Sequence, residues 1–204
     1  MDTQLIGQIL YYVVLYAGLS LTMIPFFFFL FWNFLNFWKK RGAWFFYAFM
    51  VTFFVAGILA FVLTQDRWIL WYYAFPQWVQ ILGLCVAIVS GIIIKMAEIK
   101  ITRAVRFFRP VIKGEKFQLQ TDGAYRYVRH PIYAVFPWYA FGVLLYTGQL
   151  ILLPIFVFNM LARTWYAKKE EAYLAGHVTG DYEKFKRQTP NRFYPSFGKR
   201  VKHS

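Results

Sequence analysis

Two polar clusters flank a short apolar hairpin and hold most of the side chains in this sequence that could do chemistry. The first reads Gly123-Ala-Tyr125-Arg-Tyr127-Val-Arg129-His130-Pro131-Ile132-Tyr133 and stands directly before an apolar stretch. Pro131 suits the first position of a helix, where its missing N–H is no loss. The free N–H groups after it would point out of the helix start and seat a carboxylate, such as that of a methionine moiety. Arg129 and His130 would add positive charge or donors. The second cluster, Glu170-Glu171-Ala-Tyr173-Leu174, continues through Val178-Thr179-Gly180-Asp181-Tyr182 and Phe185 to Thr189-Pro190. At about 100° per residue, Asn159, Arg163, Tyr166 and Glu170 share one stripe of a helix, whereas Glu171 points about 100° away. A polar stripe on a membrane helix must face protein or water. Glu170 is therefore expected to turn towards the first cluster and Glu171 towards solvent. Taken one at a time, the Arg, His and Tyr residues are also what a membrane interface attracts, and only the two clusters together point to chemistry.

Other chemistries lack their residues. No two glycines are separated by one residue, so the G-x-G-x-x-G fingerprint is absent, and there is no P-loop. Three histidines (His130, His177, His203) and a single cysteine, Cys85, at no ligand-like spacing give no expectation of a metal. Cys85 lies in an apolar run and reads as a small packed hydrophobe.

The elements that must position these clusters belong to a membrane protein. Of 204 residues, 59% are hydrophobic and 23% aromatic, more apolar than a surface in water tolerates. The net charge of +14 crowds between apolar stretches, which points to anionic headgroups and loop topology rather than to nucleic acid. Leu5 to Trp38 is uncharged, with Pro25 in its middle, and reads as one long kinked or tilted helix that is expected to stay as a membrane anchor. Ala43–Thr64 and Trp78–Ile94 are further spans, the latter continuing as an amphipathic extension over Lys95–Arg109 that Pro110 ends. Pro131–Tyr146 and Leu150–Arg163 form the hairpin about Thr147, Gly148 and Gln149, and the second helix runs on through Lys168 to Leu174. Lys and Arg number three, one, nine, zero and nine along the successive loops and tail. That alternation predicts an all-α integral membrane protein with five transmembrane helices, the N-terminus outside and the C-terminus cytoplasmic. Residues 1–110 would be a membrane anchor of three spans, and 111–204 the catalytic core facing the cytoplasm. The host membrane would be a bacterial or archaeal inner membrane, or the endoplasmic reticulum.

The pair of clusters, G-x-Y-x-x-x-R-H-P-x-Y and then E-E-x-x-L through to Thr189-Pro190, resembles the isoprenylcysteine carboxyl methyltransferase family and its phospholipid N-methyltransferase relatives, from about Phe117 to Pro195. The resemblance implies an S-adenosyl-L-methionine-dependent methyltransferase acting on a lipophilic small-molecule or lipid acceptor among membrane lipids. It implies cofactor contacts at Phe117, Gln118, Leu119, Gln120, Tyr125, His130, Pro131, Ile132, Tyr133 and Glu170. A carboxylate can grip ribose hydroxyls, and aromatic faces can stack on adenine or meet a sulfonium. Val178 and Thr179 stand where the family has Phe-Gly. Tyr166 stands where the carboxyl methyltransferases have an acceptor-pairing Arg, which leaves that work to Arg163 one turn deeper, or to a different nucleophile such as a lipid amine or a thiol. Membrane reductases that use NADPH share an R-H-P-N-Y block, but Ile132 and the Glu170-Glu171 pair favour the methyltransferases. A non-enzymatic membrane protein gives no reason for the Arg163 stripe.

Overall fold

The computed structural model describes residues 3–104 and 108–195. The long first apolar run is kinked twice, giving α1 (Thr3–Thr22), α2 (Ile24–Asn33) and α3 (Leu35–Arg41). Pro25 explains the first kink: it lacks a donor, and its ring crowds the carbonyl one turn back. Ser20 and Thr22 add to it by turning their hydroxyls onto the carbonyls of Tyr16 and Leu19. The ladder still bridges both kinks, through Phe27 N–H to Met23 O at 3.1 Å and Phe34 N–H to Leu30 O at 3.1 Å.

The remaining elements are α4 (Ala43–Leu63), α5 (Gln65–Trp68), α6 (Gln77–Ala104), α7 (Phe108–Lys113), β1 (Phe117–Gln118), a 3₁₀ turn at Gly123–Arg126, α8 (Pro131–Thr147), α9 (Leu152–His177), β2 (Val178–Thr179) and α10 (Tyr182–Gln188). Pro110 does not end a helix as expected. It falls in the first turn of α7, where its missing donor costs nothing. Residues 105–107 of the predicted amphipathic extension lie outside the described residues.

Helix α8 is the hub, buried on nearly every side by α1, α6 and α9. Glycines permit that crowding. A Cβ at Gly142 would come within 2.6 Å of Ala87 N and 2.8 Å of Gly83 O, and one at Gly83 within 2.6 Å of Tyr146 N. Gly83 and Ala87 are one turn apart, so α6 presents a small-residue face on which the α8 backbone lies directly, the packing that membrane helices use in place of a hydrophobic drive. The hairpin turn closes with Gly148 at φ 70°, and Tyr73 N–H donates to its carbonyl at 2.8 Å. Buried Gln149 donates to Tyr11 Oη at 2.7 Å and Ile69 O at 3.2 Å, tying α1 and the α5–α6 loop to that turn.

Among the described residues, three stretches are long and apolar enough to cross a membrane: Gln4–Asn33, Ala43–Leu63 and Gln77–Ile99. Helix α8 is apolar but has 17 residues, and α9 is apolar over the first half of its 26 residues and carries Lys168, Lys169, Glu170 and Glu171 in the second. Helix α4 shows why lipid must be the solvent: of its 21 almost wholly apolar residues only Phe46 is buried.

Candidate functional site

The start of α8 and the middle of α9 meet at the end of the bundle opposite the hairpin turn. His130 is the N-cap residue of α8 and Pro131 follows it, so the N–H groups of Ile132 and Tyr133 have no intrahelical acceptor. The His130 ring stacks on Tyr133 with centroids 5.2 Å apart and planes within 8°. Tyr133 Oη donates to Oε2 of Glu170 at 2.5 Å, and His130 Nδ1 lies 3.7 Å from the same oxygen. The other oxygen of Glu170 accepts from no described residue. Tyr166, one turn before Glu170, meets Tyr133 edge-to-face at 4.6 Å and is fully buried, its hydroxyl without a hydrogen-bond partner among the described residues. Phe28 of α2 closes this wall, 5.1 Å from Tyr133 and 6.4 Å from Tyr166.

The predicted stripe is present: Asn159, Arg163 and Tyr166 are buried, and the Glu170 side chain is 13% exposed. Glu171 overturns the expectation that it faces solvent. It is 8% exposed and accepts from Arg129 Nε at 2.9 Å and from Arg192 through Nε at 3.0 Å and Nη2 at 2.7 Å, with His130 Nε2 3.1 Å away. The rotation about α9 was right, but the chain after α10 returns and covers that face. Residues 189–194 form a strap: Arg129 N–H donates to Asn191 O at 3.0 Å, His130 N–H to Arg192 O at 2.9 Å, and Arg129 Nη1 to the carbonyls of Thr189 and Pro190 at 2.7 and 2.6 Å. Arg129, Glu171 and Arg192 are thus structural members of the site that a helical wheel cannot find, because the covering segment is not part of the helix.

The two glutamates differ electrostatically. Burial pushes the Glu170 carboxyl above the usual carboxylate range, and the charge of His130 and the Tyr133 hydrogen bond reverse only part of that. Burial acts on Glu171 as well, but hydrogen bonds from His130, Arg192 and Arg129 outweigh it and hold that carboxyl well below the usual range. Glu171 is thus a committed anion serving structure, and Glu170 a sparsely partnered carboxyl beside the buried first turn of α8.

Of the other predicted positions, Tyr125 is buried and close enough to Glu170 to feel its charge. Pro131 and Ile132 are buried in the first turn of α8. Phe117 and Gln118 form β1, which pairs in parallel with Val178 and Thr179 and so ties the approach of the first cluster to the end of α9. Gln118 is exposed there, and Leu119 and Gln120 are half-buried beside it. Among the described residues no group of three or more His, Cys, Asp and Glu could hold a metal.

A model of the phospholipid methyltransferase family matches residues 78–178, from the start of α6 to the first residue of β2. The chain is also 32% identical over 76 residues to a protein-S-isoprenylcysteine O-methyltransferase of Schizosaccharomyces pombe, a match that covers 36% of this chain and 31% of that one. The shared stretch is thus under a third of the yeast protein. No solved structure matches the chain.

Proposed function

The chain belongs to the phospholipid methyltransferase and isoprenylcysteine methyltransferase-like family of membrane methyltransferases, and from that premise we propose that it transfers a methyl group from S-adenosyl-L-methionine to a lipophilic acceptor at the cytoplasmic face of a membrane. The observation that carries this reading is the convergence of Tyr133, His130 and Glu170 at the first turn of α8, with the Tyr166 hydroxyl, unpartnered among the described residues, beside them.

The residues present fit the cofactor. Glu170 has a carboxylate oxygen with no described protein partner, suited to ribose hydroxyls. The Ile132 and Tyr133 N–H groups suit a carboxylate, and Tyr125, Tyr133 and Tyr166 supply aromatic faces for an adenine or a cation. When bound, the cofactor supplies an electrophilic methyl on a sulfonium; the acceptor's lone pair forms the new bond, and the electrons of the broken C–S bond return to sulfur, leaving a neutral thioether. The leaving group needs no acid, and a carboxylate or thiolate acceptor needs no base. The protein's work is then to bind, align and exclude water. Tyr133 fixes the Glu170 rotamer, the His130 ring stacks on Tyr133 beside it, and Phe28 with Tyr166 makes the dry wall. Residues 111–204 carry this core, standing on the helices of 1–110.

Arg163 faces the acceptor. It is 8% exposed, its Nε has no partner, and no carboxylate pairs with it among the described residues. A cation buried at that depth calls for an anion, and Tyr166 in the family's arginine position makes prenylcysteine a poor substrate. Transfer of labelled methyl from S-adenosyl-L-methionine to a prenylcysteine carboxylate, phosphatidylethanolamine and a hydrophobic thiol, in wild type and Arg163→Leu, tests this. Turnover of one acceptor that Arg163→Leu abolishes is expected; efficient prenylcysteine methylation untouched by Arg163→Leu would sink the assignment.

A further inference from the structure

Arg163 and the strap raise a question that cofactor chemistry does not answer: what satisfies a buried guanidinium while no acceptor is present. Its Nη1 donates to Tyr194 Oη at 2.7 Å, and the guanidinium carbon lies 4.8 Å from the Phe193 ring centroid and 5.1 Å from that of Tyr194. Both rings belong to the strap. They reach Arg163 only because Arg192 is locked to Glu171 and the strap backbone is paired with Arg129 and His130. A phenol offers one neutral acceptor oxygen where a full counter-charge is called for, so it is a weak partner for a desolvated cation. Phe193 is half-buried, whereas Tyr194 is 48% exposed and lies two residues beyond the anchored Arg192. The phenol can therefore swing out with the rest of the strap still in place.

We propose that Tyr194 is a resident stand-in for the acceptor, its hydroxyl holding on Arg163 the position taken by an anionic oxygen of the substrate, so that binding of an anionic amphiphile exchanges the phenol for that oxygen. The proposal rests on the reading of Arg163 as the acceptor-facing residue and deepens it in two ways. It makes the acceptor an amphiphile with an anionic oxygen close to its nucleophile, and it makes Tyr194 a specificity-determining gate. A neutral amphiphile cannot complete the exchange, because it would replace one neutral partner by another and gain nothing. The Glu171–Arg192 pair is the hinge that keeps the gate in register. The strap lies outside residues 78–178, the stretch that the family model matches.

The full chain in lipid nanodiscs, with Tyr194 replaced site-specifically by 3-fluorotyrosine, gives a readout independent of turnover. Dodecanoate is expected to shift the fluorine resonance saturably, dodecanol at equal membrane loading is expected to leave it in place, and Arg163→Leu is expected to abolish the response. In Tyr194→Phe, which keeps the ring over Arg163 and removes only the competing oxygen, dodecanoate measured by competition with a fluorescent fatty acid should bind up to about tenfold more tightly. Equal responses to dodecanoate and dodecanol, a response that survives Arg163→Leu, or weaker dodecanoate binding in Tyr194→Phe would each overturn the gate. S-adenosylhomocysteine binding, titrated on the same samples, reports separately on the cofactor site. A failed gate with intact cofactor binding condemns this inference alone, and absent cofactor binding condemns the methyltransferase reading.

Discussion

Replacing Glu171 by glutamine separates the two adjacent glutamates most sharply. The wild-type carboxylate accepts four hydrogen bonds, counting the His130 contact, and neutralises Arg129, whose side chain is 6% exposed. Glutamine keeps one acceptor oxygen but turns an NH₂ towards Arg192, and it leaves the Arg129 cation uncompensated. Removing one member of a buried ion pair costs about 3 to 5 kcal/mol. The lower end applies here, because Arg129 retains the Thr189 and Pro190 carbonyls and Arg192, at 27% side-chain exposure, is partly solvated. At about 2 to 4 °C per kcal/mol for a chain of this length, the unfolding midpoint should fall by roughly 6 to 12 °C. Glu170→Gln is the matched control. It removes a carboxyl whose charge burial disfavours and whose one close donor among the described residues is Tyr133, so its midpoint should stay within about 2 °C of wild type. Thermal unfolding of both variants in nanodiscs decides the matter. Equal loss in the two, or a Glu171→Gln midpoint indistinguishable from wild type, refutes the ionic anchor.

Three further outcomes follow from the same geometry. The Glu170 carboxyl is held above the usual range and must be ionised to accept two hydroxyls, so S-adenosylhomocysteine affinity should fall with decreasing pH from a point above the ordinary carboxylate value of about 4.3, and Glu170→Gln should remove that dependence; Glu171, held low, stabilises the fold above that value and loses its contribution only as pH drops further. Gly142→Leu should sharply lower the yield of folded protein, because even a Cβ meets the backbone of Ala87 and Gly83, whereas Gly176→Leu, where a Cβ has open space, should not; a well-folded Gly142→Leu would contradict the α6–α8 contact. For topology, single cysteines at exposed Leu150 and exposed Lys184 in a Cys85→Ser background should react with impermeant maleimide from opposite sides of the membrane, and labelling of both from one side counts against the five-span reading.

The sequence made legible what depends on local periodicity. The hairpin about Gly148, the long run of α9 out of the apolar zone, the kink near Pro25 and the stripe of buried Asn159, Arg163 and Tyr166 with half-buried Glu170 follow from spacing and residue type alone. What escaped depends on segments that meet from afar. Glu171 lies on the predicted azimuth of α9, yet that azimuth is covered by a strap about twenty residues later, and nothing in its own helix announces the cover. Arg192 read as one tail charge among many, although its bidentate grip on Glu171 fixes the strap. Pro110 misled in a different way, since a proline fits the first turn of a new helix as well as the end of an old one. Helix α8 shows a further limit: at 17 residues, and buried by three neighbours, it is held by glycine-mediated packing as much as by apolarity.

The measurement closest to the central claim is calorimetric titration of S-adenosylhomocysteine into the full chain in nanodiscs, for wild type, Glu170→Gln and Arg163→Leu. Saturable binding is expected in wild type. Glu170→Gln should weaken it more than tenfold, as the loss of about 1.5 to 3 kcal/mol of charged hydrogen bonding implies. Arg163→Leu should leave it nearly unchanged, because the proposal assigns that residue to the acceptor. Absence of saturable binding in a folded wild type, or equal affinity in wild type and Glu170→Gln, would contradict the assignment of this site to the cofactor.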